Sequence, residues 1–439
     1  MKTLQQIDSE TYNLIELEEK RQRDVLEMIP SENYTSRAVR EALGSVLTNK
    51  YSEGYPKKRY YQGNAVIDEV ETLAQERAKK LFGVPYVNVQ ALSGAPANAA
   101  VYMALLTYQD KIMGLKLSFG GHLTHGAPNT FSSRFFTAVN YELGKDCLLD
   151  YDAIEELAMK EKPKIIVCGY TAYPRLIDFK RLGDIADKCG AYLLSDIAHI
   201  AGLVVGGAHP SPVPYVHIVT TTTHKTLRGP RGALIMVTEK GLKKNPDLPK
   251  LIDSAIIPGL QGGPHDNQTA AIAVALKEAG QPEFKAYAKQ IVANSKTLAR
   301  ELTHRGFDLV SGGSDNHLIL IDLRGKGVNG AIAAYALEVA GIVVNKNTVP
   351  FDTNVPFYPS GIRLGTPAIT TRGMKETDMG KVAGWMERVI DEVISYRLPD
   401  DKEARKEFMR KMRKEVSANK KLLAISREVK LFCNTFPVP

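Results

Sequence analysis

One lysine of the chain has the sequence surroundings of a Schiff-base amine. Lys225 follows a run of four threonines and His224 at the end of an apolar stretch, so we expect it just past a buried strand. Partial burial there would lower the pKa of the amine and make it a usable nucleophile. The threonine hydroxyls, together with Arg228 and Arg231, could bind a phosphate nearby. Taken alone, such a segment is more often a basic surface loop.

A carboxylate and a histidine stand upstream of this lysine, where another apolar stretch ends. Asp196 closes that stretch, and a lone buried charge is costly, so the carboxylate needs a partner. A pyridinium nitrogen would supply one, and the ion pair would keep the ring able to accept electrons from a carbanion. His199, three residues further on, could reach the ring hydroxyl. Taken singly, Asp196 is more often a helix N-cap and His199 a buried core histidine.

A third segment has the composition of an anion cradle. Ser93, Gly94, Ala95 and Pro96 join a predicted strand to a predicted helix. Free N–H groups at a helix start, with glycine permitting close approach, bind phosphate. Such a glycine loop is weak evidence by itself. A cradle, a strand-end carboxylate and a strand-end lysine in this order are the layout expected of a pyridoxal-phosphate site.

The elements that must position these residues alternate along the chain. Short apolar strands and helices predict an α/β protein with a mostly parallel sheet buried on both faces, which binds ligands at the carboxyl ends of its strands. Helices are predicted at 7–28, 65–82, 96–106, 180–188 and from 268 past Pro282, and strands at 86–89, 164–168, 191–194, 217–221 and 234–237. Residues 256–267 are predicted to form a loop. Strands at 318–323 and 342–344, with helices around them, indicate a smaller α/β domain.

Composition limits the class of protein. The chain has 439 residues, 24% of them charged, and no apolar stretch reaches the ~18 residues that span a bilayer. The first residues lack a secretory or transit signal, so we expect a cytoplasmic protein. The four cysteines form no C-x-x-C pair, and we predict no metal site. Much of the net charge of +8 lies in residues 401–430, whose apolar spacing predicts an amphipathic helix.

Eight segments together resemble serine hydroxymethyltransferases, and the resemblance runs nearly end to end. These are Pro-Ser-Glu-Asn at 30–33, Tyr-Ser-Glu-Gly-Tyr-Pro at 51–56, Arg-Tyr-Tyr at 59–61, Gly-His-Leu-Thr-His-Gly at 121–126, Asp-Ile-Ala-His at 196–199, the threonine run with His-Lys at 220–225, Gly-Leu-Gln-Gly-Gly-Pro at 259–264 and Ser-Gly-Ile-Arg-Leu-Gly-Thr-Pro-Ala at 360–368. The threonine run and the order of the segments are specific to that family.

The resemblance implies the aminotransferase-like fold of pyridoxal-phosphate enzymes, with a seven-stranded, mostly parallel sheet between helices. It further implies a helical arm at 1–50 on a partner subunit, a large cofactor domain at 51–275 and a small domain at 276–439. The expected assembly is a homodimer or homotetramer with shared active sites. The expected reaction moves the hydroxymethyl carbon of serine to tetrahydrofolate, giving glycine and methylene-tetrahydrofolate, through an external aldimine and a glycine quinonoid.

The resemblance also assigns the cofactor contacts. Lys225 would form the internal aldimine with pyridoxal phosphate, and Asp196 would pair with the pyridine nitrogen. His199 and Thr171 would contact the ring hydroxyl region, and His122 would stack on the ring face. The other expected cofactor contacts within the same subunit are Ser93, Gly94, Ala95, Ala198 and Thr222. Gly263 of the partner subunit would add one more.

Substrate contacts are implied in the same way. Arg363 would bind the substrate carboxylate as a bidentate pair, with help from Ser31 and from Tyr51 of the partner subunit. Glu53 of the partner subunit would transfer a proton at the serine hydroxyl. The residues that complete the catalytic shell are Tyr61 and His224.

Three positions depart from the family pattern. Ala95 and Thr171 stand where serine is common, and Ser195 stands where an apolar residue is usual. Ala95 removes one hydroxyl contact with the phosphate, so we expect a modest loss of cofactor affinity. The other two departures remove no catalytic group.

Two alternative functions stay open on the sequence. A threonine aldolase-like lyase would keep Lys225, Asp196 and Arg363 but would need neither Glu53 nor a folate pocket. The expected folate contacts are Leu117, Leu123 and Asn347. An RNA-binding regulatory protein on the same scaffold would use the basic tail, although no nucleic-acid motif supports it. We therefore expect serine, glycine and tetrahydrofolate as ligands, and no nucleic acid or membrane partner.

Overall fold

The computed structural model describes residues 2–439, which form two compact units. The central unit comprises Thr35–Val292 and Ser314–His317. The terminal unit comprises residues 2–34, Ala293–Gly313 and Leu318–Pro439. The predicted domain boundaries at 50 and 275, and the packing of the first segment on a partner subunit, stay predictions.

Fifteen strands are present in the described residues. They are β1 (Leu26–Glu27), β2 (Gly54–Tyr55), β3 (Lys58–Arg59), β4 (Tyr86–Asn88), β5 (Lys111–Leu115), β6 (Thr137–Tyr141), β7 (Ile165–Cys168), β8 (Tyr192–Asp196), β9 (Ile218–Thr222), β10 (Ala233–Val237), β11 (Asp308–Leu309), β12 (Leu318–Asp322), β13 (Ile342–Val343), β14 (Asn345–Asn347) and β15 (Gly361–Gly365).

The α-helices of the same residues are α1 (Leu4–Ile7), α2 (Ser9–Asp24), α3 (Arg37–Leu43), α4 (Ala65–Phe82), α5 (Gly94–Leu105), α6 (Phe131–Phe135), α7 (Tyr151–Glu161), α8 (Phe179–Cys189), α9 (Ala201–Val205), α10 (Glu239–Lys244), α11 (Leu248–Ser254), α12 (Asp266–Ala279), α13 (Pro282–His304), α14 (Gly330–Val339), α15 (Pro367–Thr371), α16 (Glu376–Val393), α17 (Lys402–Ser417) and α18 (Lys420–Cys433).

A seven-stranded sheet forms the middle of the central unit, in the order β4-β10-β9-β8-β7-β5-β6. Six strands are parallel and β10 is antiparallel to both of its neighbours. Every residue of β7, β9 and β10 is buried, as expected where helices cover both faces. Asp196 of β8 lies opposite Thr220 of β9, so the carboxyl ends of these two strands meet at one edge.

The terminal unit contains a smaller, antiparallel sheet in the order β11-β12-β15-β14. Helices α14 and α16 pack together, and their buried apolar residues belong to the core of this unit. A separate two-stranded pair joins β1 to β13 in parallel. The amphipathic helix predicted over residues 401–430 is confirmed in part: α17 buries Met409, Met412 and Val416, but the segment is broken at Ala418 and Asn419, and Asn419 caps a second helix, α18.

Most predicted elements are confirmed, including the seven-stranded sheet, and α4 has the predicted bounds. Two helix predictions are wrong in part. The first helix ends at Asp24, because Leu26 and Glu27 pair with β13 and are buried, a partnership that local periodicity does not contain. The helix predicted across Pro282 is broken at Gly280, and Pro282 instead begins α13. The predicted loop at 256–267 is irregular where Ile257 is extended, and its last two residues belong to α12, which begins at Asp266.

Among the residues that the structure describes, no helix is both long and apolar enough to cross a bilayer.

Candidate active site

The Asp196 carboxylate lies at the edge where β8 and β9 end and is held by several hydrogen bonds. Its Oδ2 accepts from Asn98 Nδ2 at 2.8 Å and lies 3.3 Å from His125 Nε2, and its Oδ1 accepts from the N–H of Ala198 at 3.1 Å. Burial by itself would raise the pKa of Asp196, but the hydrogen bond and charge of His125, with His122 and Asn98, hold it well below the ordinary value. The group is therefore an anion at neutral pH.

A second layer of hydrogen bonds holds the amide of Asn98. Thr220 Oγ1 donates to Asn98 Oδ1 at 2.7 Å, and Asn98 Nδ2 also donates to Thr124 Oγ1 at 2.8 Å. The same threonine hydroxyl lies 2.8 Å from His122 Nδ1. Because Thr220 and Asn98 are buried, this network fixes the Asp196 carboxylate and the His122 ring with respect to each other.

Lys225 lies three residues beyond Thr222, the last residue of β9, in a turn that is closed by hydrogen bonds of Thr223. Thr223 Oγ1 donates to the carbonyl of Pro230 at 2.6 Å, and the N–H of Gly229 donates to the carbonyl of Thr223 at 2.7 Å. The lysine itself is half-buried. The prediction that Lys225 follows a buried strand is confirmed by the bounds of β9.

One hydroxyl links the lysine turn to the segment after Asp196. Thr226 Oγ1 donates to the carbonyl of His199 at 2.9 Å and accepts from the N–H of Gly202 at 3.0 Å. The chain immediately after Lys225 is thereby fastened to the segment that carries His199. The two segments that sequence analysis singled out are therefore adjacent in the fold.

The predicted cradle lies at the start of α5. Ser93 is its N-cap in an extended conformation, and the first N–H groups, at Gly94 and Ala95, precede the point where helical hydrogen bonds begin. A Cβ at position 94 would lie 2.8 Å from Thr222 Cγ2, so the glycine lets the helix start touch the end of β9. Thr222 Oγ1 is buried without a hydrogen-bond partner among the described residues.

His224 lies between the end of β9 and Lys225 and is partly buried. Burial, and then the charges of Arg231 and Lys225, lower the pKa of His224 to about 3. Its imidazole is therefore neutral at physiological pH and offers one N–H donor and one acceptor nitrogen. Its Nδ1 is buried and has no partner in the part of the chain described here.

Three further predicted residues lie on the loops of the central unit. Thr171 Oγ1 donates to the carbonyl of Gly121 at 2.8 Å, which joins the loop after β7 to the residue before His122. Leu117 and Leu123 stand before and after Gly121 in the chain, and their side chains are 41% and 53% exposed. Exposed leucines beside a polar site are suited to hold an apolar or aromatic ligand face.

A separate cluster in the central unit brings together Tyr51, Glu53, Tyr61 and Gly263. The rings of Tyr51 and Tyr61 meet edge to face at 5.2 Å. A Cβ at position 263 would lie 3.1 Å from the Tyr51 ring, and one at position 262 would lie 3.1 Å from Glu53 Oε1. Tyr51 and Tyr61 are about half exposed. Tyr51, Glu53 and Gly263 are the residues expected to reach the site of a partner subunit, and Tyr61, expected in the catalytic shell, lies on the same surface.

Arg363, Asn347 and Ser31 belong to the terminal unit. Arg363 is in the middle of β15, opposite Asn345, whose Oδ1 accepts from Arg363 Nε at 3.1 Å. Burial lowers the pKa of Arg363 to about 10. Asn347 lies on β14, two residues after Asn345 and opposite Gly361. The N–H of Gly365 donates to the carbonyl of Met28, so the segment leading to Ser31 runs beside the end of β15.

The central-unit residues fit a pyridoxal-phosphate group. The largely buried Asp196 anion could pair with a protonated ring nitrogen, and the buried Thr222 hydroxyl, which has no partner among the described residues, could bind a polar ligand atom at the cradle. Ligand-type atoms of His122, His125 and Asp196 also lie within 4.8 Å of one another, a spacing that could hold a metal ion. Within this cluster the Asp196 carboxylate accepts from Asn98 and lies beside His125.

The residues that hold the site by hydrogen bonds were not predicted from the sequence. Asn98, Thr124, His125 and Thr226 were assigned no role, although three of them lie within segments noted for other reasons. Asn98 is one helical turn after Gly94, so it shares a helix face with the cradle. A polar residue at this helical spacing from Gly94 was the signal available in the sequence. The buried hydroxyl of Ser195, a departure from the family pattern, has no partner among the described atoms.

Comparisons with known proteins agree with this geometry. A family model described as serine hydroxymethyltransferase matches residues 4–386. A serine hydroxymethyltransferase of Acidothermus cellulolyticus is 56% identical over 89% of this chain and 90% of its own length. One of Desulfotalea psychrophila is 51% identical over 100% of this chain and 96% of its own length. The predicted aminotransferase-like fold and resemblance are thus confirmed. The chain belongs to the serine hydroxymethyltransferase family.

Proposed function

We propose that this chain transfers the hydroxymethyl carbon of serine reversibly to tetrahydrofolate, giving glycine and methylene-tetrahydrofolate, with pyridoxal phosphate held on Lys225. The observation that carries the proposal is the buried Asp196 anion, held by Asn98 and His125 at the strand edge that also bears Lys225. When bound, the cofactor supplies an electron sink for the charge left at the glycine carbon.

The cofactor contacts follow from the same edge. Asp196 would keep the ring nitrogen protonated, and His122, fixed through Thr124, would cover one ring face. The start of α5 and the Thr222 hydroxyl would bind the phosphate, because the helix start lies against Thr222 and that hydroxyl is buried without a partner among the described residues. The Lys225 amine would attach the aldehyde carbon by a Schiff base.

The substrate carboxylate would be bound by Arg363. A guanidinium whose burial lowers its pKa to about 10 is stabilised when an anion binds it, and the bond from its Nε to Asn345 holds its plane. A planar fork of donors matches a carboxylate. Ser31 and the partner's Tyr51 would add hydrogen bonds to the same carboxylate.

Proton transfer at the serine hydroxyl would be performed by Glu53 of the partner subunit, with the partner's Tyr61 beside it. His224 would supply a neutral imidazole near Lys225, since its pKa of about 3 keeps it uncharged. The exposed Tyr51 and Tyr61 surface supports a homodimer or homotetramer with shared sites. The cytoplasmic location stays part of the proposal.

Tetrahydrofolate would be held by Leu117, Leu123 and Asn347. The two exposed leucines suit the apolar ring faces of a folate, and the Asn347 amide suits its polar edge. A requirement for tetrahydrofolate separates the proposal from an aldolase-like lyase, which has no use for it.

A stepwise absorbance experiment tests the proposal. The protein is saturated with pyridoxal phosphate, then glycine and tetrahydrofolate are added in turn. We expect a long-wavelength band that rises strongly only when both are present, because the folate completes the site around the bound amino acid. Lys225→Ala should abolish the band, whereas Lys188→Ala, at an exposed ion pair with Glu155, should keep it.

The outcomes discriminate between the functions. A band that forms with glycine and ignores tetrahydrofolate would replace the transferase by a lyase. A protein that takes up no cofactor, yet binds RNA with steep salt dependence, would favour the scaffold protein instead.

A further inference from the structure

A second histidine lies directly behind His199 in the interior of the central unit. His199 Nδ1 is 3.2 Å from His317 Nε2, and the two rings are tilted by 32° with centroids 5.4 Å apart. His199 is 5% exposed and His317 is fully buried. A hydrogen bond between ring nitrogens needs one proton between them, so the tautomers of the two residues are coupled.

His317 reaches this position because a short segment of the C-terminal half belongs to the central unit. Residues Ser314–His317 group with Thr35–Val292, while the chain on both sides belongs to the terminal unit. The segment is held on the loop after β7. The N–H of Asp315 donates to the carbonyl of Pro174 at 2.8 Å, and Arg175 Nη1 binds Asp315 Oδ1 at 3.2 Å.

The side chain next to His317 makes a third attachment to that loop. Asn316 Nδ2 donates to the carbonyl of Tyr173 at 3.0 Å, and the asparagine is 2% exposed. Three bonds on three consecutive loop residues leave the His317 backbone little freedom. On the other side, the carbonyl of His199 accepts from Thr226 beside Lys225. Both partners of the histidine pair are therefore held at the backbone.

Only one of the two tautomeric arrangements gives His199 a donor at its far edge. If His199 Nδ1 carried the proton, Nε2 would be an acceptor. If His317 Nε2 carries it, His199 Nδ1 accepts and the proton of His199 lies on Nε2. The ring oxygen of pyridoxal phosphate is an acceptor when ionised, so it requires the second arrangement.

We propose that His317 is a positioning residue that donates from Nε2 to His199 Nδ1 and thereby keeps a proton on His199 Nε2 for the cofactor ring oxygen. The inference rests on the proposed function for the cofactor itself. The tautomeric state of the histidine pair does not depend on the proposed function, because the 3.2 Å contact between His199 and His317 is present in the protein without cofactor.

The test compares His317→Leu, which removes the donor, with His317→Gln, whose amide N–H can replace it. The matched control is His217→Gln. His217 is also buried, but it lies just before β9, at the end opposite to Lys225, and its Nδ1 accepts from the N–H of Leu193. We expect His317→Leu to raise the cofactor dissociation constant about tenfold. It should also shift the pH titration of the cofactor absorbance. His317→Gln should remain within about threefold of the wild-type constant, and His217→Gln should lower only the melting temperature.

A second readout uses the apoprotein. Long-range proton–nitrogen NMR on ¹⁵N-histidine-labelled protein should place the His199 proton on Nε2 in the wild type and give a tautomer mixture in His317→Leu. A His199 proton on Nδ1 in the wild type overturns the inference, as does a wild-type titration in His317→Leu. If that variant does not fold, His317→Gln and the wild-type spectrum decide. Failure of the wild type to bind pyridoxal phosphate would instead refute the proposed function and leave the tautomer result standing.

Discussion

At the scale of single residues, the contact between Gly94 and Thr222 decides the shape of the phosphate cradle. A Cβ at position 94 would meet the Thr222 methyl carbon at 2.8 Å, closer than such atoms approach in folded proteins. Thr222 is on a fully buried strand and is not free to move aside. Position 94 therefore requires glycine for closeness of packing rather than for an unusual backbone angle.

This contact predicts a specific rescue. Gly94→Ala should weaken pyridoxal-phosphate binding by about tenfold or more, because the helix start must move away from β9. Thr222→Ser removes the clashing methyl carbon and keeps the hydroxyl, so adding it to Gly94→Ala should restore most of the affinity. The dissociation constant is measured by titrating the apoprotein with cofactor. A double variant as weak as Gly94→Ala alone would contradict the packing argument.

At the scale of elements, one buried arginine joins the ends of two helices in the terminal unit. Arg372 is 3% exposed and donates to the carbonyls of Gln22, Arg23 and Val25 at the end of α2. It also donates to the carbonyls of Cys433 and Phe436 at the end of α18. Helix C-termini expose unpaired carbonyls and carry partial negative charge, so a single guanidinium satisfies both.

Replacing Arg372 by methionine should lower the free energy of unfolding of this unit by about 3 kcal/mol or more, since several buried carbonyls lose their donor. The measurement is urea unfolding followed by circular dichroism. Arg388→Met is the matched control, because Arg388 pairs with Glu428 on the surface and should cost at most about 1 kcal/mol. Equal losses in the two variants would show that the carbonyl contacts of Arg372 contribute little.

At the scale of the whole molecule, the surface formed by Tyr51, Glu53, Tyr61 and Gly263 predicts sites completed by a partner subunit. Subunits carrying Lys225→Ala and subunits carrying Glu53→Gln should each form assemblies with almost no activity. Random mixing should give hybrid pairs in which one site carries both defects and the other carries none. We expect recovery of about a quarter of the wild-type activity on co-expression.

The control for the mixing experiment is a pair of variants with the same defect. Co-expressed Lys225→Ala and Lys225→Arg subunits should recover nothing, because every site keeps a defective lysine. If the Lys225→Ala and Glu53→Gln mixture is also inactive, both residues act within one subunit and the shared-site proposal fails.

Much of this protein could be predicted from its sequence where the signal is local. The segments ending at Asp196 and in the threonine run became β8 and β9, because apolar and β-branched residues favour buried strands. The glycine start of α5 likewise follows from local chemistry. The β1 strand was not predictable in this way, since Leu26 forms it only by pairing with a distant strand.

The sequence by itself determined which groups carry the chemistry: a strand-end lysine, a strand-end carboxylate and a helix start with free N–H groups. Tertiary structure decided what holds them. Sheet register placed Thr220 opposite Asp196, and the inward face of α5 brought Asn98 to both. A segment returning from the other half of the chain set His317 behind His199. Hydrogen-bond partners of this kind are separated along the chain, so only the folded backbone specifies which side chains meet.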